Sequence, residues 1–102
     1  MRTNQKIKAS LKQEIKDILS REKEVDKVFI FGSFINSEQP NDIDIAIFQD
    51  SDKPYLELAM KYRKLIRPIA RKIAVDIIPI KSTAADGWFL SEIKAGELIY
   101  ER

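Results

Sequence analysis

Between about Gln5 and Arg21 the apolar residues Ile7, Leu11, Ile15, Ile18 and Leu19 recur at spacings of three and four, with Lys and Gln between them. That interval returns to one face of a helix, so the segment predicts an amphipathic helix. A charged connector, Arg21-Glu22-Lys23-Glu24, leads into Val28-Phe29-Ile30-Phe31, an apolar run that stops at Gly32 and reads as a buried strand. Asn36 to Asn41 has the composition of a loop, and Asp42-Ile43-Asp44-Ile45-Ala46-Ile47-Phe48 then alternates with period two, the mark of a second strand. Asp52 and Pro54 start a second helix whose apolar face, Leu58, Tyr62, Leu65, Ile66, Ile69 and Ile73, runs to about residue 72, with a kink or break expected at Pro68. Ala74 to Ile80 predicts a third strand, in which Pro79 marks either the strand end or a sheet edge. A short helix follows, signalled by Thr83 three residues before Asp86 and by Trp88, Phe89 and Ile93, with Gly96 as its stop before a last strand at Glu97 to Tyr100. The expected fold is α+β: a small mixed β-sheet covered by helices, in a single domain over residues 1–102.

Composition narrows the chemistry. The 102 residues include no Cys and no His, which removes the usual zinc ligands, disulfides, thiol catalysis and imidazole proton shuttles. Carboxylates, amines and hydroxyls must carry any reaction. With 18 Lys plus Arg against 16 Asp plus Glu, the net charge of +2 is too small to declare a nucleic-acid binder. No apolar run approaches the roughly 20 residues of a membrane span, and Met1 to Ser10 lacks a signal-peptide core, so the expectation is a cytoplasmic protein with no membrane role.

Residues two apart on a strand share a face, so Asp42 and Asp44 stand side by side while Ile43, Ile45 and Ile47 point to the core. Two carboxylates that close repel, and the natural counter-charge without Cys or His is a hard divalent cation, Mg²⁺ or Mn²⁺. The plainer reading of this pair is the polar face of a half-exposed strand. Asp76 shifts the balance: its strand is apolar on both parities and reads as buried on both faces, where an unpaired charge is expensive. Placing Asp76 beside Asp42 and Asp44 lets three carboxylates share one or two metal ions. Gly32 and Ser33, directly after the first strand, can approach and donate to phosphate oxygens at the start of a helical turn. A phosphate cradle beside a metal site suits phosphoryl or nucleotidyl transfer.

Phe31-Gly32-Ser33, Asp42-Ile43-Asp44 and Val75-Asp76-Ile77 together resemble the signature of the DNA polymerase beta-type nucleotidyltransferase superfamily, especially its minimal, single-domain members. The resemblance spans most of the chain and implies the nucleotidyltransferase fold. It also implies that Asp42 and Asp44 hold two Mg²⁺ ions and the triphosphate of an NTP such as ATP, that Asp76 completes one metal site and helps activate an acceptor hydroxyl, and that Gly32 and Ser33 grip the phosphates. Minimal members often act as antitoxins beside a helical HEPN-type toxin, and some adenylylate that partner. This chain departs from the pattern after Gly-Ser, where Phe34-Ile35-Asn36-Ser37 replaces the Arg and further Gly of many members. A Walker-type loop is excluded by the lack of any Gly-x4-Gly-Lys.

A chain this short has little room for a substrate-binding module, so a protein partner or a homo-oligomer is expected to complete the cleft. A second class of function is a catalytically inactive partner-binding module, an antitoxin or scaffold with the same fold. A third reading, nucleic-acid binding, would use Lys61, Lys64, Arg67 and Arg71, which fall on one face of the second helix, although a solvated basic face is the commoner meaning of such a stripe.

Overall fold

The computed structural model describes residues 4–84 and 87–102. Its elements are α1 (Gln5–Leu19), β1 (Val25–Phe31), α2 (Ser33–Asn36), β2 (Asp42–Gln49), α3 (Tyr55–Leu65), α4 (Arg67–Ala70), β3 (Ala74–Lys81), α5 (Trp88–Lys94) and β4 (Glu97–Glu101). Each expected helix and strand is present, and the second helix divides at Ile66 (φ −88°, ψ 2°), two residues before Pro68. Proline is tolerated there because the first turn of α4 needs no amide from it.

The four strands lie in the order β3-β2-β1-β4. β1 runs antiparallel to β2 and β4, while β2 and β3 are parallel, joined by the α3–α4 crossover. One face of the sheet carries Val28, Ile30, Ile43, Ile45 and Ile47 against Leu11, Ile15 and Leu19 of α1, Leu58 and Tyr62 of α3, and Ile69 of α4. The other face is apolar over only part of its length. Phe29, Ala46 and Phe48 are buried there with Ile93 of α5, the two phenyl rings meeting edge to face with centroids 5.7 Å apart. Beyond α5 that same face ends in Asp44 and Asp42 and is left open.

Two local expectations change. On α1 the apolar stripe is phased so that Ile7 is 36% exposed and Lys8 only 7%. Lys8 donates to the Ser37 carbonyl at 2.6 Å, with its ammonium 5.4 Å from the ring centre of Phe34, so burial is offset by a hydrogen bond and a cation–π contact. Asn4 caps the helix by accepting from the Ile7 amide at 2.9 Å. At α5 the cap position is Gly87, with no side-chain hydrogen bond; Thr83 sits in a turn four residues earlier, and Asp86 lies outside the described residues. Gly96, after this helix, passes so close to the backbone of Ile30 and Phe31 that a side chain could not fit.

Candidate active site

Parallel pairing in register sets Asp44 opposite Asp76 and Asp42 opposite Ala74. Because facing residues of paired strands direct their side chains to the same side, Asp76 joins the two carboxylates of β2. One oxygen from each of Asp42, Asp44 and Asp76 lies within 4.8 Å of the others. The route to this arrangement differs from the one the sequence suggests. β3 is an edge strand whose interior begins only at Ile77, and Asp76 is exposed, so the cost of burying it is not what places it there.

Asp42 and Asp44 are half-buried. Burial, then the charges of Asp42 and Asp76, and then a hydrogen bond with Asp76 push the Asp44 carboxyl up to about 6. Close carboxylates with no cation between them resist full ionisation. The donor set fits a hard cation well: three carboxylate oxygens, two of them partly screened from water, converging at one end of a sheet.

Gly32 adopts φ 80° and ψ −156°, a left-handed conformation, and a Cβ there would collide with the Asp44 carboxylate. Glycine is therefore required twice, by dihedral and by space. Ser33 opens α2 and donates from Oγ to Asp42 Oδ1 at 3.5 Å. The single turn is pinned by the fully buried Phe34 and by the Ser37 amide, which donates to the Ser33 carbonyl at 2.8 Å. The Ile35 amide donates to the Gly32 carbonyl at 3.1 Å, while the amides of Ser33 and Phe34, at the start of the turn, have no intrahelical acceptor. Gly32 also lines a cleft of about 140 Å³, with Phe31, Ile35, Asn36, Glu92 and Gly96. All five site residues expected from the sequence thus gather at one end of the sheet.

The basic stripe does not survive as a unit. Lys61 pairs with Glu22 at 2.8 Å and Glu24 at 2.9 Å, and the buried Tyr62 donates its hydroxyl to Glu24 at 2.8 Å. Burial by itself would raise Glu24, but the hydrogen bonds from Lys61 and Tyr62 outweigh it and hold the carboxyl below its usual value. Lys64, Arg67 and Arg71 remain exposed. This network went unseen in the sequence because its partners lie 37 and 38 positions apart, and no local pattern joins them.

A glycine-serine turn against a carboxylate trio makes a site suited to chemistry on phosphates. The profile of the Polymerase beta nucleotidyltransferase family matches residues 13–102, and the chain belongs to that family. Among solved structures it is similar to that of a tri-AMPylated HEPN toxin from Shewanella oneidensis in complex with MNT antitoxin, with 18% identity and a TM-score of 0.61 over 93% of this chain and 73% of that one. A toxin–antitoxin structure with AMP-PNP gives 20% identity and a TM-score of 0.63, covering 89% and 73%. The toxin–antitoxin pair MntA–HepT gives 18% and 0.60, covering 92% and 73%. No curated protein matches the chain significantly. No helix among the described residues is long and apolar enough to cross a membrane.

Proposed function

We propose that the protein transfers a nucleoside monophosphate, AMP from ATP, to a hydroxyl on a partner protein, as the antitoxin of a toxin–antitoxin pair. The observation that carries this reading is the convergence of Asp42, Asp44 and Asp76 within 4.8 Å beside the Gly32-Ser33 turn, in a chain of the Polymerase beta nucleotidyltransferase family. Structural neighbours that include an AMPylated HEPN toxin and a complex with AMP-PNP support the choice of nucleotide and partner.

Asp42 and Asp44 would hold two Mg²⁺ or Mn²⁺ ions, with Asp76 completing one site. The ions, when bound, supply charge neutralisation for the phosphates and for the leaving pyrophosphate. The Gly32 backbone admits the triphosphate closely, and Ser33 with the first amides of α2 donates to its oxygens. Asp76, the exposed member of the trio, faces the acceptor and takes its proton. The acceptor oxygen bonds to the α-phosphorus, the α–β anhydride bond breaks, and pyrophosphate leaves with the electron pair.

The test is label transfer from α-phosphate-labelled ATP with Mg²⁺ and extract of the producing cell, comparing wild type with the double variant Asp42→Asn, Asp44→Asn. Metal-dependent label on a discrete protein with wild type only is the expected result. Absence of both transfer and metal-dependent nucleotide binding would leave a partner-binding module without chemistry.

A further inference from the structure

The edge of the sheet beside Asp76 is unpaired: β3 ends the strand order, and no further strand among the described residues adjoins it. Which of its peptide groups face outward follows from one bond. The Ser82 amide donates to the Gln49 carbonyl at 2.8 Å, so the even-numbered residues of β3 address β2 and the odd-numbered ones address the open edge. Pro79, which has no amide to offer a ladder, falls on the outward side as it should. Val75 and Ile77 therefore present their N–H and C=O groups to the open edge immediately on either side of Asp76, and Pro79 ends the pairable stretch.

A second feature adjoins this edge. Arg71 caps the C-terminus of α4 three residues before Ala74, with Arg67 one turn earlier and Lys64 a turn before that. All three are exposed, and among the described residues none forms an ion pair. The helix side of the surface leading to the start of the open edge thus carries, among the described residues, three cations without an ion-pair partner, while Asp76 makes the other side acidic.

We propose that the hydroxyl acceptor is carried on an extended polypeptide segment with acidic flanking residues, which adds to β3 as a fifth strand at Val75–Ile77. This rests on the nucleotidyl-transfer reading above. Strands pair about 4.8 Å apart, so the added residue opposite Asp76 directs its side chain to the same face at about that distance. A Ser, Thr or Tyr there delivers its oxygen to the α-phosphorus and its proton to the Asp76 carboxylate, with pyrophosphate as the other product. The flanking acidic residues meet Arg71 and Arg67.

The experiment uses the full chain, labelled ATP, Mg²⁺ and producing-cell extract, with two variants: Val75→Pro, which deletes one outward amide, and the exposed pair Arg67→Glu, Arg71→Glu. Both are expected to keep metal-dependent binding of a non-hydrolysable ATP analogue. Val75→Pro should lose tenfold or more of protein labelling, and the charge reversal should raise the acceptor KM at least tenfold with little change in kcat. Hydrogen exchange on the wild type gives a readout independent of substitution: the amides of Val75 and Ile77 should become protected when the purified acceptor binds. Labelling by a folded Val75→Pro at the wild-type rate, label on RNA or a small molecule instead of protein, or no protection at residues 75 and 77 overturns the proposal, and so does nucleotide binding with no labelled protein. If the wild type neither binds nucleotide nor transfers label, the underlying function falls and takes this proposal with it.

Discussion

At the scale of single residues, Gly32 is under the tightest constraint. An alanine there is strained by about 1–3 kcal/mol, because φ 80° with ψ −156° is a conformation essentially confined to glycine, and it forces the Asp44 carboxylate to move. A displacement near 1 Å costs about a hundredfold in rate, so Gly32→Ala should lose about that much label transfer while still folding. Glu24 gives a prediction in pH. Its folded-state carboxyl is held below the unfolded value, so its stabilisation is present above the unfolded pKa and disappears as pH falls through the folded one. Glu24→Gln should therefore be less stable at pH 7, and its denaturant midpoint should fall less than that of wild type on acidification from about pH 5 to pH 3. A midpoint difference that stays constant across that range would show that the Lys61 and Tyr62 bonds do not hold Glu24 down.

Elements show which parts of the sequence could be read and which could not. The period-two run of β2 reveals both Asp42 and Asp44 and the inward isoleucines, and Pro68 marks the division of α3 from α4, because each of these is a local rule. Whether β3 is central or on the edge is decided by which strands pair. The continuous apolar run of β3 does not distinguish the two, and it is the parallel register with β2, not the cost of burial, that sets Asp76 beside its partners. Lys8 was missed for a similar cause: its partners, Ser37 and Phe34, are brought near by the sheet and not by the helix. Helix α5 holds down the second face of the sheet through Ile93, which is fully buried with Phe29, Ala46 and Phe48. Ile93→Ala should cost about 2–4 kcal/mol in chemical denaturation. A loss below 1 kcal/mol would mean that α5 rests on the sheet without anchoring it.

On the scale of the whole molecule, the sheet is divided in its duties, with an apolar length sealed by helices and an acidic end left open. The open end is a stability cost in the absence of cation, since three carboxylates crowd within 4.8 Å. Mn²⁺ or Mg²⁺ should therefore raise the unfolding temperature, by the equivalent of about 2.7 kcal/mol at a hundred times the dissociation constant. Asp44→Asn should raise the cation-free midpoint by several degrees and abolish the cation response. An unchanged cation response in that variant would place the ion elsewhere.

The crowding at Asp44 also separates how much of the protein a cell holds from how much work that protein does. A copy that has lost a carboxylate is relieved of repulsion, so it should persist at least as well as the active one and still offer its intact outer surfaces to a partner. Mixed with active molecules it would compete as a decoy, and immunoblot abundance would report nothing about turnover.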